Sequence, residues 1–257
     1  DYQILNILQY WHNIQVNIII KQNILEQVMK KLMKQFIPPI FIILKTKIFS
    51  KKSALQSKLL ELIDGESGFY IELGANDGIT QSNTIFFEKR GWRGILIELS
   101  LNKFLECRAN RSNANHFFCN AVVSFDYKDK FVDMQYSNLM TIATSLNNNI
   151  KNVASHLKSS EKFLSPHEQI FQYGAVARTL NDILIESKAP KIIDFFSLDV
   201  EGSECEVLRG IDFNDFTFRN ILVETQNHKS IHQFLKNKGY VLKNKLTHHD
   251  YLYTYQI

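Results

Sequence analysis

Acidic residues and glycines recur where the chain leaves short apolar runs, and the first such place is Glu72-Leu73-Gly74-Ala75-Asn76-Asp77-Gly78, at the end of Phe69–Leu73. A glycine just past a first strand allows a sharp backbone turn and lets a ligand approach without a Cβ in the way. The spacing is E-x-G-x-x-x-G. The middle glycine of a dinucleotide fingerprint is absent, so no diphosphate cradle is evident. Glu72 and Asp77 would repel a pyrophosphate. They suit a cationic cofactor with an amino-acid moiety, such as S-adenosylmethionine.

Glu98 closes the next apolar run, Gly94–Glu98, 24 positions after Gly74. An acidic residue there accepts hydrogen bonds from ribose hydroxyls in nucleoside-binding doubly wound folds. A lone strand-end carboxylate in solvent is the alternative, and the agreement with the preceding turn favours ribose. Further on, Asp194–Leu198 leads into Asp199-Val200-Glu201-Gly202, and another run ends in Glu224, followed by Gln226, Asn227 and His228. Ligands of open α/β sheets sit at the carboxyl ends of the strands. Asp199 and Glu201 therefore face a substrate or the methionine part of the cofactor. A carboxylate or imidazole facing a bound substrate can act as a general base within hydrogen-bond reach. Asp199 or Glu201 is the first choice for that base and His228 the next. Two carboxylates at one strand end could instead hold a divalent metal, but no ligand cluster in the sequence supports one and no metal ligand is assigned.

These residues need a framework that brings strand ends together. Leu55, Leu59 and Leu62 mark a helix ending at Asp64-Gly65, after which short apolar runs alternate with helical patterns. That alternation predicts βαβ units and a mostly parallel sheet. The strands are predicted at Phe69–Leu73, Gly94–Glu98, Phe117–Val123, Ile193–Leu198 and Asn220–Glu224, with Tyr240–Lys245 and Tyr251–Tyr255 as a closing pair. The polar stretch 144–174 reads equally as a lid or as a helical insertion without a chemical role.

Residues 1–60 carry nine lysines against Asp1 and Glu26, a net of +7, which leaves −3 for the rest of a chain whose total is +4. A nucleic-acid enzyme would carry its basic surface nearer the site, so nucleic acid is not expected as a partner. Leu25, Val28, Met29, Leu32, Met33 and Phe36 recur at helical spacing before Pro38-Pro39. Packing of that stripe on the domain is favoured over a basic helix at residues 21–36 lying on an anionic membrane. No apolar run reaches the roughly 20 residues of a membrane span. The chain opens on Asp1, so a truncated or processed N-terminus is one reading and no signal peptide is identified. Cys107, Cys119 and Cys205 form no C-x-x-C pair and read as reduced thiols in a cytoplasmic setting, membrane-peripheral if residues 21–36 meet lipid. The expected division is a helical extension over 1–63 and a catalytic domain over 64–257.

Five blocks then carry a resemblance: GFYIELGANDGITQSNT (68–84), GWRGILIE (91–98), NAVVS (120–124), RTLNDIL (178–184) and DFFSLDVEGSECEVLRGID (194–212). In this order they resemble the FkbM family of S-adenosylmethionine-dependent methyltransferases. The resemblance implies a class I methyltransferase fold, a Rossmann-like seven-stranded, mostly parallel sheet with an antiparallel last strand. It also implies O-methylation of a hydroxyl on a sugar or small natural product. By matching positions, cofactor contacts fall on Glu72, Gly74, Ala75, Asn76, Asp77, Gly78, Glu98, Asn120, Ala121 and Asp199. After Glu98 the family commonly reads E-P-N-P, whereas this chain reads Glu98-Leu99-Ser100-Leu101. Two other readings compete. A nicotinamide oxidoreductase is disfavoured by the missing G-x-G-x-x-G. A catalytically weak module docking at a membrane or partner through the basic N-terminal helices is disfavoured by the acids kept at four strand ends.

Overall fold

The computed structural model describes residues 54–63, 65–146, 153–164 and 169–256. The amphipathic stripe at residues 25–36 and the membrane reading of residues 21–36 lie outside them. Among the described residues, no helix is long and apolar enough to cross a membrane.

The protein is an α/β fold with two sheets. The larger is built from β1 (Phe69–Leu73), β2 (Arg93–Ile97), β3 (His116–Phe118), β8 (Ile192–Leu198), β9 (Thr217–Glu224), β10 (Tyr240–Lys245) and β11 (Asp250–Tyr255), in the order β10-β11-β9-β8-β1-β2-β3. β1 pairs in parallel with β2 and with β8, β2 with β3, and β8 with β9. β11 is antiparallel to both its neighbours, β9 and β10. All five residues of β1 are buried, as a central parallel strand covered on both faces requires. Because β1 is flanked by β2 on one side and by β8 on the other, the strand order reverses between β1 and β8. A crevice at the carboxyl edge belongs there.

Helices α1 (Ala54–Leu62), α2 (Ile85–Glu88), α3 (Leu101–Asn110), α5 (Leu180–Glu186), α6 (Glu204–Arg209) and α7 (His228–Lys236) connect or cover these strands. One apolar cluster joins Ile71, Ile95, Phe196 and Ile221 of the sheet to Leu180, Ile183 and Leu184 of α5 and to Ile231 and Leu235 of α7. A second joins Tyr70, Phe87, Trp92 and Phe195 to Leu59 and Ile63. The compact unit accordingly begins at Ala54, and the boundary read at residue 64 falls ten residues inside it.

The smaller sheet was not expected in this extent. The run Phe117–Val123 is two strands rather than one. β3 ends at Phe118 on the edge of the large sheet, while β4 (Ala121–Val123) pairs with β7 (Phe171–Thr179). Between them, buried Asn120 turns its Nδ2 to donate to the Val176 carbonyl oxygen at 3.2 Å, which ties the break to β7. β5 (Phe131–Tyr136) pairs antiparallel with β7 and with the short β6 (Ile142–Ala143), which gives the order β4-β7-β5-β6. Residues 144–174 thus contain helix α4 (Val153–Ser160) and the start of β7.

Candidate functional site

The turn after β1 is shaped by its own backbone. Gly74 has φ +87, and a Cβ there would stand 2.0 Å from the Asp199 carbonyl oxygen. The close approach of the chain just past β8 by itself requires glycine at this turn. Asp199 N in turn donates to Leu73 O at 3.1 Å, which locks the two strand ends together. Asn76 sits in the left-handed region at φ 47, and its N–H donates to Glu98 Oε2 at 2.8 Å. Asp77 closes the turn by accepting from Ile79 N, Thr80 N and Thr80 Oγ1 at 2.7–2.8 Å.

Glu72, the first acid of the motif, serves the framework. It is 3% exposed and accepts from Ser82 Oγ, the Asn83 N–H, Thr84 Oγ1 and Arg111 Nη1. Arg111, itself 4% exposed, also reaches Glu88 Oε2 at 2.9 Å, Tyr70 Oη at 2.8 Å and the Gly78 carbonyl oxygen at 3.1 Å. The guanidinium beside Glu88 holds that carboxyl below its usual range even though burial pushes it up. Burial drives the Tyr70 hydroxyl strongly upward, so it stays protonated. This buried network fixes the loop from Gly78 to Thr84.

Above the switch point lies a cavity of about 360 Å³. It brings together Gly74, Asn76, Glu98, Asn120, Ala121, Asp199 and Glu201 from the sequence-derived set. Glu72, Ala75, Asp77 and Gly78 do not line it; within the motif, cavity and framework roles are divided. His228 opens α7, beyond β9, and its ring stacks on Tyr251 at 3.9 Å and lies 5.5 Å from His232; it is not among the residues lining the cavity. Burial and the neighbouring His232 push its imidazole below its ordinary range.

Glu98 is buried at the end of β2. Each of its carboxylate oxygens takes one backbone N–H, from Asn76 and from Ser100, both at 2.8 Å. Burial raises its carboxyl, and those two N–H groups oppose the rise. On the other side of β1, the chain leaving β8 passes through Glu201 at φ 50 and Gly202 at φ 101, a strained turn of the kind that gathers at functional sites. Glu204 braces it, accepting from Gly202 N at 2.7 Å and from Thr225 Oγ1 at 3.2 Å. Asp199 lies well above the usual carboxylate range, because of burial and then the negative charges of Glu224, Glu201, Glu204 and Asp250. Glu201 is pushed up to about 7 by burial, with Glu224 and Glu204 adding. Asp199 shares a hydrogen bond with Glu224, whose own carboxyl is raised by burial and by Asp250.

The contribution of the small sheet to the cavity was not foreseen: Met134 of β5, Asn138, Thr141 and Ala143 come from that sheet and its connection, while Leu146, Ser159 and Lys162 come from the stretch read equally as a lid or as an insertion. The signal for β5 was present: Val132, Met134 and Tyr136 alternate with Phe131, Asp133 and Gln135, and the first three are buried.

The cavity lies at the switch point, where ligands of open α/β sheets sit, with carboxylates on consecutive strand ends. The methyltransferase FkbM domain model matches residues 72–242, two thirds of the chain. The chain belongs to the FkbM methyltransferase family. No curated protein matches it.

Proposed function

We propose that the protein transfers a methyl group from S-adenosylmethionine to a hydroxyl oxygen of a sugar or small natural product, with the large sheet as a class I methyltransferase sheet. One observation carries the reading. A single cavity touches three neighbouring strand ends in order, with Glu98 after β2, Gly74 and Asn76 after β1, and Asp199 after β8. Its volume is in the range of small-molecule sites, about 300–1,000 Å³.

The residues present fit the donor. A carboxylate has about four lone-pair positions, and Glu98 uses two of its own on backbone N–H groups, which leaves acceptors for ribose hydroxyls. Asn76 Oδ1 is buried at the cavity wall without a hydrogen-bond partner among the described residues, an acceptor suited to a ligand N–H or O–H. When bound, S-adenosylmethionine supplies an activated methyl group on a sulfonium. The chain then has to hold an oxygen in line with that carbon and take its proton. Glu201 is the better base. Held at about 7, it is substantially ionised near neutrality, where a general base is most effective. Asp199 is pushed well above the usual carboxylate range by burial and by the acids around it, Glu224 first, so it is the weaker candidate for accepting a proton in neutral solution. Residues of the small sheet and Lys162 complete the cavity wall.

Calorimetry with S-adenosylmethionine and S-adenosylhomocysteine tests the donor. Both should bind the wild-type protein, and Glu98→Gln should weaken both about 10-fold, the loss of one acceptor worth about 1.4 kcal/mol. Binding of neither to the wild-type protein sinks the proposal.

A further inference from the structure

The turn after β8 carries a polar side chain that the fold does not use. Ser203 stands at the N-cap of α6, where its carbonyl oxygen accepts from Glu206 N at 3.0 Å and from Val207 N at 3.2 Å. A serine at an N-cap ordinarily has an extended backbone and turns its hydroxyl back onto the N–H groups of the first turn. Here the backbone lies at φ −104 and ψ 20, and the side chain makes no such cap. Glu204 braces the turn instead, with one carboxylate oxygen on Gly202 N and the other on Thr225 Oγ1.

Ser203 Oγ is thereby left over. It sits on a residue only 4% exposed and has no hydrogen-bond partner among the described residues. A buried hydroxyl whose hydrogen bond is unmade costs stability, so its place in the fold calls for a reason. The residue lines the large cavity, as do Asp199, Val200 and Glu201 just before it.

We propose that Ser203 Oγ is a contact for the methyl acceptor, hydrogen-bonding a neutral oxygen of that molecule and so fixing where its reacting hydroxyl lies relative to Glu201. The inference rests on the methyl-transfer reading above. Place separates acceptor from donor. Ser203 comes four residues after Asp199, in a turn that the bond from Thr225 to Glu204 ties to the end of β9. In the strand order β9-β8-β1-β2 that is the side of Asp199 away from Glu98 and the ribose. Charge selects the kind of group. Asp199, Glu201 and Glu224 line the same cavity; they would repel an anion and would draw a cation to their own oxygens. A serine hydroxyl donates as well as accepts, which suits a neutral hydroxyl or ether oxygen.

Variants of the full chain test this. Ser203→Ala removes a hydroxyl that the fold does not use, so its Tm should match or exceed that of the wild type. Loss of a working cap would lower Tm by about 2–4 °C, and a fall of that size overturns the proposal. Ser203→Cys places a thiol on the cavity wall for methyl methanethiosulfonate, and the wild type, whose Cys119 and Cys205 are half-buried, gives the background rate. The introduced thiol should react equally fast with and without saturating S-adenosylhomocysteine, because the donor leaves this part of the cavity open. In the S-adenosylhomocysteine complex, glycerol is the probe for neutral oxygens, with rates referred to glutathione in the same solution. It should slow the reaction at least about 3-fold, the protection reached at twice its Kd, and acetate should not. A thiol that does not react overturns the proposal, since residue 203 would then not face the cavity. Protection by S-adenosylhomocysteine alone does so too, by making Ser203 a donor contact, as does a reaction that glycerol leaves unchanged or that acetate slows as much. Calorimetry of S-adenosylhomocysteine on the wild type comes first. Absence of binding there sinks the donor reading, while the thiol and glycerol still report on Ser203, so the two failures are distinguishable.

Discussion

Replacing Glu201 by Gln keeps the volume of the side chain and removes its charge from the acidic corner beside Asp199, Glu204 and Glu224. The wild-type carboxyl is held at about 7 against an ordinary 4.5. Ionising it in the folded protein therefore costs about 3 kcal/mol of stability, at 1.36 kcal/mol per pH unit. The sign follows from which state holds the proton. Near about pH 4 both folded and unfolded chains carry it, and the group contributes no pH dependence. As pH rises from 4.5 toward about 7 the unfolded chain releases its proton first, so stability falls. Above about 7 the whole cost is present. Glu201→Gln should match the wild type in urea unfolding near about pH 4 and exceed it by about 1–3 kcal/mol near about pH 8, the lower figure allowing for relaxation of the neighbouring acids. The same variant should lose about 10²–10⁴-fold in methyl transfer, the usual worth of a general base. What remains of its rate should no longer rise through neutrality. A stability difference that does not change with pH, or a variant less stable than wild type near about pH 8, would refute the account of this corner. Full methyl transfer by the variant would remove Glu201 as the base.

Arg111→Met should destabilise the protein by about 3–5 kcal/mol in urea unfolding, because it strands the buried Glu72 carboxylate. Adding Glu72→Gln should recover part of that loss, and a purely additive double variant would deny the pairing seen at 3.1 Å. Gly74→Ala and Gly91→Ala separate strain from collision, since both glycines have positive φ while a Cβ at Gly91 meets nothing within 4 Å. Gly91→Ala should cost about 1–2 kcal/mol. Gly74→Ala should cost at least about 3 kcal/mol, a fall in Tm of roughly 6–12 °C, and equal losses in the two variants would contradict the clash with Asp199.

The large sheet was legible because its central strands are buried on both faces and are written as largely apolar runs, such as Phe69–Leu73 and Ile193–Leu198, broken only by Glu72, Asp194 and Ser197. The small sheet was not, because its strands spread their signal. In β7, nine residues long, only Ala175 is fully buried. Its partners β4 and β5 both precede the polar stretch in which β7 begins, so the pairing of β5 with β7 cannot be seen in any local window. The division of Phe117–Val123 was hidden for a related reason. Apolar periodicity continues across Asn120, and what breaks the strand is a bond from that side chain to a carbonyl 56 residues away.

The site shows where residue type stops being informative. Glu72 and Glu98 are both acids at the ends of neighbouring buried strands, and their sequence surroundings offer the same chemistry. Glu72 precedes the last residue of β1, so its side chain is enclosed by α2 and α3, where Arg111 meets it at 3.1 Å. Glu98 follows the last residue of β2, and its carboxylate meets the turn at Asn76 on the rim of the cavity. One position relative to the strand end decides between a framework ion pair and a place on the cavity wall. The partner that makes the difference, Arg111, lies 39 residues downstream at the end of α3 with no motif around it. The same reasoning orders the acids on the far side. Asp199 comes one residue past β8 and Glu201 three past it, in a left-handed turn; both line the cavity, and Asp199 shares a hydrogen bond with Glu224. The base is therefore to be sought in the residue the turn holds out, and the pH dependence of Glu201→Gln reads that placement directly.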